Sequence, residues 1–399
     1  MQWAFITLLK LKQEESVGKI FKRDGLIVVA LVLIFLMLIP IGCSREKEKS
    51  PKTRAKTEAK VGKEKVIKIG AILPLTGDIA MFGHWLKEGI LVASTGYKRK
   101  VIVKFEDDQD KTSLAVSAFN KLVDIDKVKA IITARTPVAN ALVPLAFRKK
   151  IPIIFTFADL PSDTKGGVCN FHFPVVDEIM VLTRVIGQYV GEKASVITVN
   201  DNFGNLARNF FKRYFKGKVI FEQSFMPTEK KFKNIVDKIP KESDFLFLVG
   251  YGQNLVGILK RIQERKLTIP IVSINSFTVF YDLVKDYLIT PVYVTMTLFD
   301  VGKGNNVVLE NVKQKFAQTL KKKPNLVNLE AYEASKFLLN LLVDKGFSKE
   351  ETFEYFSQPK RLDTVFGKLY CDTRGQVHFP LVVVKVWNNK REIISIWRP

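Results

Sequence analysis

VIKIGAILPLTGDIAMFGHWLKEGILVA, residues Val66–Ala93, decides how the rest of the chain is read. Val66–Leu73 is an apolar, strand-length run, and Thr76-Gly77 marks a tight turn after it. The residues that follow space their apolar side chains for an amphipathic helix. Strand, turn and helix in that order open an α/β sheet, and such sheets take ligands beyond the carboxyl ends of their strands. The turn Pro74–Asp78 lies at one such end.

The same alternation continues outward. Val101–Glu106, Lys129–Thr133 and Pro152–Phe157 read as strands, with helices expected over Ser113–Val123 and Val138–Lys150. The rhythm restarts with strands at Ala194–Val199, Lys218–Ser224, Asp244–Gly250 and Ile269–Ile274. Helices at Asn205–Phe215, Phe232–Ile239 and Leu255–Arg265 separate them. Regular β/α alternation argues for parallel sheet built from βαβ units. Two sheets, and so two lobes, fit better than one very wide sheet. The tail differs. It reads as a long helix over Leu329–Lys345, a capping box at Ser348 and Glu351, and strands at Phe366–Cys371, Val377–Trp387 and Glu392–Trp397.

The chain has 399 residues, room for two or three domains. At 47% hydrophobic residues it can build a core, which excludes global disorder. Leu26–Ile41, LIVVALVLIFLMLIPI, is an uncharged run preceded by Lys10, Lys12, Lys19, Lys22 and Arg23, the order of a secretory signal. Cys43 follows it as in a bacterial lipobox, although Pro40 stands where that pattern has Leu. Residues 1–43 are therefore expected to be a signal peptide with a lipidated Cys43, or an uncleaved membrane anchor. Residues 44–65, rich in Lys, Glu, Thr and Ala, read as a disordered tether. Either way the body ends outside the cytoplasm. The net charge of +23 is spread along the chain and accompanies no recognition motif, so nucleic acid is not an expected partner. An oxidising compartment permits a bridge between Cys169 and Cys371, provided their Cα atoms come within ~7 Å.

Several islands carry a family resemblance in order along the chain: Ile67–Gly83, FEDDQD at Phe105–Asp110, Lys129–Ala146, IPIIFTFADLPS at Ile151–Ser162, Ala194–Ala207, DFLFLVGYG at Asp244–Gly252 and FGKLYCDTRGQV at Phe366–Val377. With them the chain resembles type I periplasmic solute-binding proteins, in the branched-chain amino acid and amide-binding, leucine-binding-protein-like branch of ABC transporters. The resemblance implies two Rossmann-like lobes with parallel sheets, joined by three crossovers near Phe173, Thr295 and His378. It implies residues 66–173 with 296–377 as one lobe and 174–295 with 378–399 as the other. A solute would bind in the cleft, hinge closure would bury it, and an ABC permease in the inner membrane would receive it.

The ligand residues that follow from the pattern sit after strand ends. Thr76 and Gly77 occupy the first turn, where backbone N–H groups of a following helix suit an anion. Phe82 matches an aromatic of the family's cleft. Arg135 and Thr136 follow the third strand, and Arg135 suits a carboxylate. Phe157, Ala158 and Asp159 replace the family's Ser-Ala-Thr, which makes an ordinary amino-acid ligand doubtful and leaves Asp159 to accept from an ammonium. In the second half, Phe203, Tyr251, Asn275 and Ser276 are the corresponding positions, with neutral Asn275 where amino-acid binders often carry an acid. His84, His172 and His378 share no metal-ligand spacing, and the chain has no GxSxG, HExxH, P-loop or CxxC. No metal, no cofactor and no enzymatic activity are expected. The leading expectation is a receptor for a small polar metabolite, amino-acid-like or a carboxylate. The alternative is a regulatory or scaffolding envelope lipoprotein with a degenerate cleft.

Overall fold

In the computed structural model, which describes residues 66–97, 100–303 and 307–399, the apolar runs condense into two large sheets and a small third one. The first has five parallel strands in the order β2-β1-β3-β4-β5. They are β1 (Ile67–Leu73), β2 (Val101–Asp107), β3 (Ile131–Ala134), β4 (Ile153–Thr156) and β5 (Val168–Asn170). Helices α1 (Ala80–Ser94), α2 (Thr112–Asn120) and α3 (Thr136–Lys149) return the chain between strands, as parallel pairing demands. Ile69, Ala71 and Leu73 enter one buried cluster and Ile72 enters another, the alternation of a strand covered on both faces.

The chain next forms α4 (Val175–Val190) and a seven-stranded sheet in the order β15-β14-β10-β9-β8-β6-β7. β6 (Lys193–Val199), β7 (Lys218–Phe225), β8 (Phe245–Val249), β9 (Ile271–Ser273) and β10 (Val292–Thr297) run parallel. Helices α5 (Asn202–Tyr214), α6 (Gln253–Glu264) and the short α7 (Asn275–Val279) lie among the connections. β14 (Leu381–Trp387) and β15 (Lys390–Trp397) extend the sheet antiparallel beyond β10. The abundant Phe residues do much of the packing here. Phe211 of α5 stacks on Phe247 of β8 at 4.0 Å between ring centres, with Phe215 and Phe245 around them.

After β10 the chain returns to the first lobe. It adds α8 (Val307–Leu320), α9 (Leu326–Leu339), α10 (Lys349–Phe356) and a small antiparallel sheet of β11 (Lys360–Thr364), β12 (Gly367–Cys371) and β13 (Val377–His378). α9 lies so close to α1 that a Cβ on Gly89 would stand 2.3 Å from the Asn328 carbonyl oxygen. Only glycine allows that approach. Asn328 Nδ2 fastens the contact by donating to the Trp85 carbonyl at 2.8 Å and to Glu88 at 3.0 Å. Ser348 and Glu351 form the expected reciprocal cap at the start of α10.

Three segments join the lobes: residues 171–174, the stretch after Thr297, and residues 379–380. Two expectations change here. Thr295 lies inside β10, paired to Val383, so the second crossing comes after the strand. Val377–Trp387 is two strands in two different sheets, broken at Pro380, whose ring nitrogen offers no N–H for a ladder. Cys169 on β5 and Cys371 on β12 are both buried free thiols, and the fold sets them side by side. Among the described residues no helix is long and apolar enough to cross a membrane. The Leu26–Ile41 run, Cys43 and the 44–65 tether lie outside the described residues.

Candidate functional site

Every loop that meets between the lobes leaves the carboxyl end of a parallel strand, the place where open α/β sheets present ligand sites. The loops after β1, β3 and β4 bring Ile79, Phe82, Arg135, Thr136, Phe157, Ala158 and Asp159 to one wall. The loops after β6, β8 and β9 bring Phe203, Tyr251, Asn275, Ser276, Val279 and Phe280 to the other. His172, Val175 and Glu178, from the first crossing and the start of α4, complete the lining. The space open between the walls is about 40 Å³, room for a few waters.

Thr76 and Gly77 are the two expected residues that do not reach this cavity. The Thr76 hydroxyl donates to Asp107 at 2.6 Å, and the Leu75 N–H donates to the same carboxylate at 2.9 Å. These bonds fold the turn onto the end of β2. α1 starts only at Ala80, so Ile79 and Phe82 are what this loop offers the cleft.

Arg135 bridges the walls. Its Nε and Nη2 donate to Asp110 at 3.0 and 3.3 Å, and Nη2 stands 3.8 Å from Asp201 of the second lobe. The guanidinium also lies over the Tyr251 ring, 4.0 Å from its centre. Tyr251 in turn donates its hydroxyl to Asp201 at 2.7 Å. Burial would lower the Arg135 pKa, but the charges of Asp110, Tyr251 and Asp201 and the Asp110 hydrogen bond hold it above the ordinary arginine value. The backbone is unusual here too. Arg135 has φ +82° and Phe157 φ +48°, conformations that non-glycine residues seldom adopt outside functional loops.

The remaining polar groups are mostly buried. Thr136 Oγ1 accepts from the Asp159 N–H at 3.0 Å, so its hydroxyl oxygen braces the loop. Asp159 Oδ1 accepts from the Val175 N–H at 2.9 Å, and burial pushes its carboxyl up to about 6. Glu178 accepts from the Asn275 N–H at 2.7 Å and from the Thr295 hydroxyl, and burial pushes it up to about 8. His172 is stacked between Phe157 and Phe173, and its Nδ1 is 2.8 Å from Glu330. Burial drives His172 down to about 3 and Glu330 well up, disfavouring the charged form of each.

Sequence reasoning did not assign Ile79, Val175, Glu178, Val279 or Phe280 to the site, and considered His172 only as a metal ligand. Glu178 left a readable trace. It occupies the stripe of Val175 and Leu182 on α4, where an apolar residue is due at helical spacing.

His378, beside the third crossing, ties two parts of the hinge together. Its Nδ1 bonds Asp177 of α4 at 3.0 Å and its Nε2 lies 3.6 Å from Asp372. These hydrogen bonds, to Asp177 first and then Asp372, raise its pKa to about 9. In the unfolded chain the value returns to ~6.5. The pair's stabilisation, on the order of 2–3 kcal/mol, is thus complete below about pH 6.5 and disappears as pH rises through about 9. In melting curves, wild type should exceed His378→Gln clearly near pH 6 and match it near pH 10. A gap that stays constant with pH would remove His378 from this role.

A cavity between two α/β lobes, entered by loops from both, is the geometry that comparison with known proteins recognises. The family model described as periplasmic binding protein matches residues 66–391. The chain belongs to the periplasmic binding protein family. Membership makes this periplasmic binding protein a solute binder rather than an enzyme and implies an extracytoplasmic location. It is similar to the Leu/Ile/Val-binding protein homolog 3 of Brucella melitensis, 28% identical over 202 residues, 46% of this chain and 54% of that one. The match therefore spans about half the length of that relative. Among solved structures, the branched-chain amino acid transporter substrate binding protein LivJ of Streptococcus pneumoniae, in complex with isoleucine, superposes with a TM-score of 0.75 at 18% identity, covering 84% of this chain and 100% of LivJ. A solute binding protein of an ABC transporter from Rhodopseudomonas palustris, in complex with 3,4-dihydroxybenzoic acid, superposes at 0.70 and 18% identity, covering 83% and 97%.

Proposed function

We propose that this periplasmic binding protein is an extracytoplasmic receptor that captures a small polar metabolite with an apolar part and delivers it to an ABC importer. Cys43, if lipidated, or an uncleaved N-terminal anchor holds it at the membrane. Residues 66–170 with 298–378 close on residues 175–297 with 381–399 about the three crossings. The reading rests on one observation: strand-end loops from both sheets line a single cavity. A solute there touches both walls only when the lobes are together, so binding draws the population toward closure. The relatives widen the field of ligands, since one neighbour holds isoleucine and another a hydroxylated benzoic acid. Both combine a polar head with an apolar body, the character of the residues named here.

A thermal-shift panel of amino acids, amides, amines and small aromatic acids on the full-length chain tests this. A true ligand at ~100 times its Kd should stabilise the fold by ~2.7 kcal/mol. Silence across the whole panel would refute capture of such solutes and favour the scaffolding alternative.

A further inference from the structure

Resting on the receptor reading, we infer that the cavity takes an organic ammonium ion carried on an apolar body and lacking a carboxylate. The wall that would receive a carboxylate is already engaged inside the protein, and the facing wall presents acceptors without partners.

A guanidinium offers a carboxylate two forks, Nε with Nη2 and Nη1 with Nη2. In Arg135 both forks depend on Nη2. That atom donates to Asp110 and lies beside Asp201, while Nε is held by Asp110 as well. One face of the group is covered by Tyr251. A ligand carboxylate would arrive as a third anion around one cation, with only Nη1 and the second Nη2 hydrogen to bond, beside Asp201. Arg135 thus acts as a clasp between lobes.

Across the cavity, Asn275 is 1% exposed and its Oδ1 has no hydrogen-bond partner. The orientation of this amide is fixed by its neighbour. Thr278 uses its hydroxyl hydrogen on the Asn275 carbonyl at 2.8 Å, so its oxygen accepts from Asn275 Nδ2 at 2.9 Å. Oδ1 is left as a buried acceptor without a partner, on a residue that lines the cavity. The Ser276 hydroxyl beside it is also buried and unpartnered. A buried acceptor without a donor is destabilising, and a ligand N–H would relieve that.

Charge points the same way. Asp110 and Asp201 beside Arg135, and Asp159 on the cavity wall, outnumber its one positive charge, while His172 is neutral. That surplus of carboxylates favours a cation over an anion. Phe157, Phe203 and Phe280 supply faces for an apolar body and for a cation held against a ring.

Three matched probes decide the matter by calorimetry on the full-length chain: 2-phenylethylamine, 3-phenylpropanoate and phenylalanine. The amine is expected to bind at least ~10-fold more tightly than the carboxylate. Asn275→Leu should weaken the amine by ~10-fold or more, and Ser276→Ala carries the same comparison if that variant does not fold. Asp201→Asn releases one partner of Arg135 and should raise affinity for 3-phenylpropanoate while lowering that for the amine. Tighter binding of the carboxylate or of phenylalanine than of the amine in wild type overturns the inference and leaves the receptor reading intact. So does amine binding indifferent to both wall variants. No binding by any probe also overturns it. The receptor reading itself falls only if the wider thermal panel is silent too.

Discussion

Arg135→Leu is expected to destabilise the folded protein by ~3 kcal/mol or more. The guanidinium is only 10% exposed, and its partners Asp110 and Asp201 are 24% and 11% exposed. Removing it leaves two poorly hydrated carboxylates facing each other across the lobes, which costs more than the ion pairs themselves contribute. Asp201 has a second duty, since its Oδ1 caps α5 by accepting from the Gly204 N–H at 2.8 Å. Repulsion at that carboxylate therefore reaches the helix that carries Phe203. Urea unfolding at neutral pH measures the loss. Adding Asp201→Asn to the leucine variant should restore part of it by deleting one stranded charge. A loss below ~1 kcal/mol would mean the cluster is solvated, and the clasp would have no energetic basis.

The second large effect belongs to the core of the second lobe. Phe211→Ala should cost ~3–5 kcal/mol, the usual range for emptying a buried phenylalanine site. Phe211 is fully buried, lies nearly parallel to Phe247 at 10°, and has Phe215 at 4.9 Å and Phe245 at 6.3 Å. Rings locked from several sides cannot collapse into the vacated volume, so the cavity persists. The neighbouring Phe210→Ala provides the contrast, because that ring is only partly buried and meets Tyr214 alone among aromatics, at 6.3 Å. Equal losses at the two positions would contradict the packing described for α5 and β8.

Much of the fold could be read from the chain because parallel strands buried on both faces announce themselves. IKIGAIL in β1 and FLFLV in β8 are nearly continuous apolar runs, and helical spacing separates them from the next strand. What could not be read was connection. β10 carries Thr295 and Thr297 among its apolar residues, so its pattern says little about which sheet it joins. Val377 and Val382 look like one strand until Pro380 is seen to divide two sheets. The site behaved similarly. Residues just past strand ends, such as Phe157, Tyr251 and Asn275, were accessible to reasoning because their position follows from topology alone. Thr76 was not, since its hydroxyl is diverted by Asp107, a residue 31 positions away. Glu178 and His172 came to the cavity through the crossing, and no strand-end rule addresses them. The cysteines show the same limit, because compartment chemistry says when a bridge is allowed and only the fold says whether the two thiols meet.

The tight seat of α9 on α1 bears on how the protein is made. The partner that covers Gly89 is Asn328, more than two hundred residues later in the chain. As the polypeptide emerges from its amino end, the early strands wait with one flank bare while the whole intervening half is threaded out. The intervening half waits as well, because β14 and β15, the last strands to be made, close its sheet beside β10. Neither lobe can be finished until the carboxyl-terminal stretch has left the ribosome.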